Sequence, residues 1–112
     1  GVKEDLPAGF LQASAKLTKV IRQGTKQYRD LLFGNEIFMA RTKGVGVLPP
    51  EVAMEYGVSG PTLHATGVPE DSRVTEPYAK YGELDVHVPV GKNGDSMDRF
   101  QVLLDRMKAL GD

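Results

Sequence analysis

His64, Asp71 and Arg73 fall in one short stretch, "SGPTLHATGVPEDSR" at 59–73, which also holds two Gly and two Pro. An imidazole near a carboxylate and a guanidinium is the raw material of acid–base catalysis. That chemistry requires hydrogen-bond reach between the partners, which nearness along the chain does not establish. No nucleophile elbow accompanies the three residues, only scattered Ser and Thr. The other reading is structural: Asp71 and Arg73 form an ion pair or satisfy loop amides and carbonyls. The density of helix breakers favours the structural reading.

Other chemistries have less support. His64 and His87 lack His-x-x-x-His or similar ligand spacing, so no metal site is expected. "GVGV" is a bare Gly-x-Gly, and "GKNGD" lacks the Walker order, so neither is expected to cradle phosphate. Gly91 and Gly94 read instead as turn residues with positive φ. Tyr78 and Tyr81 can stack on a flat ligand, but rings closing a loop over the core are the simpler expectation.

The totals narrow the class. The chain has 112 residues, 40% apolar and 26% charged, with a net charge of −1, consistent with one globular domain of modest core. That balance gives no nucleic-acid footprint. With no Cys, the chain forms no disulfide and offers no thiolate to zinc or an iron–sulfur cluster. No apolar run approaches the ~20 residues of a membrane span. The opening "GVKEDLP" has neither Met nor a signal-peptide pattern, and the chain is read as a piece of a longer polypeptide.

These residues need elements to position them. Phe10, Leu17, Val20, Ile21, Tyr28, Leu31 and Leu32 follow a helical rhythm, predicting a long helix over 7–32 with that face buried. Gly24 falls on the same face at a cost of ~1 kcal/mol relative to Ala; either another backbone approaches closely there or the helix is locally irregular. Lys16, Lys19, Arg22, Lys26 and Arg29 make a basic stripe without an acidic residue, expected as a solvated outer face or else a docking surface for an acidic partner or an anionic surface. Residues 51–85 are acidic, with a local net of −5.

Gly34 and Asn35 stop the long helix and cap a short one to Arg41. Pro49 and Pro50 start another helix, which Gly57 ends. Ser59 caps a fourth, with Pro61 in its first turn. Asp95 caps a final helix to about Leu110, with Phe100, Leu104 and Met107 inward. "GVGVL" (44–48) and "LDVHVPV" (84–90) read as strands, the second at an edge because of Pro89. The expected fold is therefore α+β, mainly helical: long N- and C-terminal helices, with short helices and a small antiparallel two-stranded element between them.

The blocks "GVKEDLP", "NEIFMARTKGVGVL", "YGVSGPTLHATGV" and "PYAKYGELDVHVPVGKNGDSMDRF" occur in order, and with them the chain resembles the D subunit of proton-pumping NADH:quinone oxidoreductase, respiratory complex I. That family is related to the large subunit of nickel–iron hydrogenases. The resemblance covers nearly all of 1–112 but only a central portion of the family's chain. Arg41 and Thr42 match its "RT", and Gly44 and Gly46 the following glycine pair. Gly60 and Pro61 match "GP", and Asp71 and Arg73 match the "D-x-R" before Pro77 and Tyr78. Gly94, Asp95, Asp98 and Arg99 match "GD…DR". His64 stands where the family usually has Arg, Thr66 where it has Ser, and Glu70 where it has Trp or Tyr. Ser72 replaces an apolar residue.

The resemblance implies a structural role in an electron-transfer machine. The parent complex uses NADH, FMN, iron–sulfur clusters and quinone. The family's quinone-contacting His and Tyr lie upstream of the blocks matched here, so no catalytic, cofactor-binding or metal-binding residue is expected within 1–112. Arg41, Gly60, Pro61, Asp71, Arg73, Pro77, Tyr78, Asp95 and Arg99 are implied as structural motif positions. The implied partners are other peripheral-arm subunits, above all the neighbour carrying the terminal iron–sulfur cluster, at the cytoplasmic face of the bacterial inner membrane. No nucleic acid is expected. Exposed apolar surface would favour self-association of the piece. The alternatives are the corresponding piece of a membrane-bound hydrogenase, or a stand-alone acid–base enzyme using His64 and Asp71.

Overall fold

A computed structural model describes residues 4–109. Six α-helices follow in order: α1 (Phe10–Phe33), α2 (Glu36–Thr42), α3 (Pro50–Glu55), α4 (Gly60–Ala65), α5 (Ser72–Thr75) and α6 (Ser96–Ala109). A single 3₁₀ turn spans Tyr81–Glu83. The final helix is the hub, packing against α4, α1 and α2. Leu110, the expected end of that helix, lies outside the described residues.

The local chemistry that sets these helices is visible at their ends. Asn35 accepts hydrogen bonds from the amides of Ile37 and Phe38, both at 3.0 Å, and so caps α2 immediately after Gly34 closes α1. Pro50 supplies the first turn of α3 and Pro61 that of α4, where a missing N–H costs nothing. Ser59 holds the N-cap position of α4 without a side-chain capping bond. Asp71 caps α5, a helix that the sequence pattern did not indicate.

No strand forms among the described residues, which corrects the expected α+β class to all-helical. In 44–48, Gly44 and Gly46 adopt φ of 70° and 60°, and two left-handed residues in five break the pleat. That segment's amides and carbonyls are used elsewhere: the Leu48 amide donates to the Gly94 carbonyl, and the Ser96 amide to the Val45 carbonyl. The 84–90 segment begins extended at Leu84 but joins no ladder. The amide that follows it, Gly91, donates to the His64 carbonyl of α4 at 2.8 Å. Pro89 is buried rather than at a solvent edge.

The core is small: Ala53, Leu63, Ala65, Met97, Val102 and Leu104, with Thr25, His64, Thr66 and Asp95 buried among the polar residues. Phe100 of α6 is flanked by Phe33 of α1 (ring centroids 6.1 Å apart) and Phe38 of α2 (5.2 Å, edge to face). Arg29 pairs with Asp105 and its guanidinium lies 5.6 Å from the Phe33 ring centroid, fastening α1 to α6. Leu104 is buried as expected on α6, Phe100 is half-buried, and Met107 is exposed.

The buried face of α1 is rotated from the expected one, of whose apolar residues only Ile21 and Leu32 are even half-buried. Thr25 is buried, with Ser14, Thr18, Ile21, Arg29 and Leu32 half-buried along the same side. Phe10, Leu17, Val20, Tyr28 and Leu31 remain exposed. At ~3.6 residues per turn their stripe lies roughly a quarter turn from the contact side. The contact side is fixed by the Arg29 and Phe33 interactions with α6. A Cβ at Gly24 would meet nothing within 4 Å, so no described backbone approaches it closely. Of the basic stripe, Lys16, Lys19, Arg22 and Lys26 are exposed, while Arg29 is drawn into its ion pair.

Candidate functional site

Two polar constellations organise the molecule. The first is built around the N-terminus of α6. The Asp95 side chain is 2% exposed; one carboxylate oxygen accepts from the Asp98 amide at 2.8 Å and the other from the Gly44 amide at 2.7 Å. One side chain thus caps α6 and anchors the loop after α2. Arg99 completes the junction. Its guanidinium donates to the carbonyls of Gly94 (2.8 Å) and Gly46 (3.0 Å) and to Ser96 Oγ at 3.0 Å. Ser96 Oγ in turn donates to the Val45 carbonyl at 3.0 Å.

Asp98, in the first turn of α6, folds the preceding loop inward. Its Oδ2 accepts from the amides of Lys92 and Asn93. Burial pushes its carboxyl pKa up, but the Asn93 and Lys92 amides outweigh burial and leave it below the usual carboxylate range. Two glycines allow this closeness. A Cβ on Gly91 would stand 2.4 Å from the Ala65 carbonyl oxygen, and one on Gly94 would stand 2.3 Å from that of Leu48. Gly94 has φ 64°, as expected of a turn. Gly91 is not among the positive-φ glycines, so the expectation there is corrected: its requirement is space, not a left-handed backbone.

The second constellation is the Asp71–Arg73 pair. Arg73 Nε and one terminal nitrogen donate to the two oxygens of Asp71 at 2.9 and 2.7 Å, and the Arg73 amide donates to Oδ1 at 3.1 Å. Arg73 holds the Asp71 carboxyl down at about 2 despite the opposing desolvation, and Asp71 raises Arg73 in return. Arg73 also lies 6.0 Å from the centroid of Tyr81, whose ring meets Tyr78 edge to face at 4.9 Å. Tyr78 is exposed and Tyr81 half-buried, so Tyr78 does not close over the core as expected.

His64 and Asp71 line one cleft of about 500 Å³, together with Gly57, Ser59 and Arg106. No described hydrogen bond joins them. His64 is 1% exposed, and its Nε2 lies 2.8 Å from the Glu70 carbonyl oxygen, donating to it in the tautomer protonated there. Its Nδ1 is buried without a partner. Asp71 is committed to Arg73. A proton relay therefore has no His–carboxylate contact to run through.

The remaining expected motif positions are peripheral. Arg41 is exposed in the last turn of α2 and makes no hydrogen bond or ion pair among the described residues. Gly60 and Pro61 open α4, Gly60 with φ 64°. Pro77 is exposed, and a Cβ on Gly82 would lie 3.7 Å from it. Sequence reading undervalued Asp98 and Gly91. The available signal was an acid at the third position of the last helix, where a capping-box acid sits.

The donor set does not suit an iron–sulfur cluster or a metal ion. There is no Cys for an iron–sulfur cluster, and no described group of three His, Cys, Asp or Glu side chains is placed to hold a metal. No helix of the described residues is long and apolar enough to cross a membrane.

Comparison with known proteins gives a consistent result. The family described as "Respiratory-chain NADH dehydrogenase, 49 Kd subunit" matches residues 1–109. A D subunit of NADH-quinone oxidoreductase from Roseiflexus sp. (strain RS-1) is 44% identical over 108 residues, which are 96% of this chain and 29% of that protein. The D subunit of the Desulforamulus reducens NADH-quinone oxidoreductase is 42% identical over 108 residues, 96% of this chain and 30% of that protein. A counterpart of the same name from Streptomyces coelicolor is 45% identical over 106 residues, covering 93% of this chain and 28% of its own length. The chain thus spans less than a third of the length of these relatives.

Proposed function

Because this chain belongs to the family of the 49 kDa subunit of respiratory-chain NADH dehydrogenase, we propose that it is a structural portion of a quinone-site subunit. In this reading it is one part of a longer chain of that family. It supports electron transfer from NADH, through flavin and iron–sulfur clusters, to quinone without carrying a redox group itself. It acts as a buttress in the peripheral arm at the cytoplasmic face of the membrane, against the neighbour that carries the terminal cluster.

The observation that carries this reading is how the charged motif residues are used. Asp71, Asp95, Asp98 and Arg99 are each engaged by backbone groups or by a near neighbour within the chain. Groups so fully engaged fix geometry, and using one in proton transfer would first cost its structural bonds. Arg41, Gly60, Pro61, Pro77 and Tyr78 serve in this reading as turn and surface positions of the same buttress.

The test is Arg73→Leu in the assembled complex. The expected outcome is a loss of assembled enzyme at least as large as any loss in turnover per assembled complex. A variant that assembles fully, is stable and yet cannot reduce quinone overturns the structural reading.

A further inference from the structure

We infer that the exposed apolar stripe of α1 is the seat of a second, closely crossing helix, supplied by the part of the family polypeptide outside the matched residues. This rests on the reading above that the chain works inside a longer subunit. Leu17, Val20, Tyr28 and Leu31 are between 53% and 69% exposed, and Phe10 extends their line toward the N-terminus. From Phe10 to Leu31 the stripe runs ~30 Å at ~1.5 Å per residue, room for about six turns of a partner helix.

Gly24 lies in the middle of that stripe. A helix-interior Gly costs ~1 kcal/mol relative to Ala. Within the described residues nothing repays this, since a Cβ there would meet nothing within 4 Å. A small residue at mid-stripe does serve a purpose where another helix backbone crosses at short distance. This separates a helix from a lipid surface: a membrane gains nothing from a missing side chain at the centre of the inserted face. The stripe's free border carries Lys16, Gln23 and Gln27, and no acidic residue occurs between Lys16 and Arg29. The partner helix is therefore apolar along its contact ridge and neutral or acidic along that border. The source is large enough, since the matched residues are 29% and 30% of two relatives and the rest of each chain lies elsewhere.

The absence of Cys gives a clean reporter. Val20→Cys is placed in the 112-residue chain, and also in a full-length relative whose matched segment is replaced by this sequence, within its complex. Maleimide labelling at position 20 is followed by peptide mass spectrometry. The chain alone is expected to label at a free-thiol rate, independent of its concentration, and the family-length subunit at least 100-fold more slowly. Gly24→Leu is expected to lower assembled family-length subunit at least fivefold while leaving the helix content of the 112-residue chain unchanged. Equal labelling rates in an assembled, quinone-reducing complex overturn the helix seat alone. A chimera that cannot assemble overturns the function proposed above and this inference with it. Protection of the chain alone by rising concentration, or by phosphatidylglycerol vesicles, overturns the assigned occupant in favour of a second copy or a membrane.

Discussion

The buried carboxylate of Asp95 accepts a hydrogen bond from the amide of Gly44 at 2.7 Å, joining the start of α6 to a loop 51 positions earlier. This contact holds the two halves of the molecule in register, because the same side chain also caps α6. Asp95→Ala removes both acceptors, so the amides of Gly44 and Asp98 lose their charged partner, at an expected loss of about 3 kcal/mol. Asp95→Asn keeps one acceptor oxygen and is expected to lose about 1 kcal/mol. Urea unfolding of the three proteins checks the order.

Glycines at two kinds of position are expected to respond to alanine with opposite sign. Gly91→Ala forces a Cβ to within 2.4 Å of the Ala65 carbonyl oxygen. Its expected cost is about 3 kcal/mol, the high end for an overpacked site. Gly24→Ala meets nothing within 4 Å. In the 112-residue chain it is expected to stabilise by about 0.5–1 kcal/mol through helix propensity. Thermal melts followed by circular dichroism check both, and a destabilised Gly24→Ala in the isolated chain contradicts the open environment described for α1.

Acid titration follows from Asp71. Its pKa falls from 3.8 to about 2 on folding, because Arg73 donates to both oxygens. A depressed carboxylate contributes stability that is fully present above its unfolded value and is lost as pH drops through its folded value. Between about pH 4 and pH 2 the parent chain is expected to lose stability more steeply than Asp71→Asn. Asp98 titrates low as well and contributes to both curves, so the informative quantity is their difference. Denaturant midpoints across that range measure it, and parallel curves refute the assignment.

His64 ties α4 to the loop that follows it through the Glu70 carbonyl. His64→Leu removes that tie while retaining the apolar bulk. The expected result is about 1–2 kcal/mol of destabilisation, with faster amide exchange confined to residues 67–71. Exchange that rises evenly across α6 instead places the role of His64 in the core rather than the loop.

Much of the helical frame was legible because caps are local. Asn35 was readable as the start of α2 and Asp95 as the start of α6, and both make the expected bonds. The strand expectation failed where alternating apolar residues coincided with alternating glycines. "GVGV" has the period of a strand, but its glycines take left-handed φ and its polar groups bond to the start of α6. The buried side of α1 was misread because periodicity finds the most apolar stripe, whereas the contact with α6 is made by Arg29 and Phe33, on the side where Thr25 is buried. The Asp71–Arg73 pair was anticipated as a structural tie. The engagement of His64 by Glu70 was not, because a backbone carbonyl leaves no trace in the sequence.

The bonds from Asp95, Ser96 and Arg99 to residues 44–46 also bear on synthesis. A ribosome makes α1 and α2 before α6, and until then the loop after α2 has neither the carboxylate nor the guanidinium that holds it. Helices can form early, but the left-handed glycine loop must wait for about fifty more residues to emerge. Pausing or truncation before Asp95 therefore leaves a nascent chain with helices but no lock, exposed to proteases and chaperones until the last helix arrives.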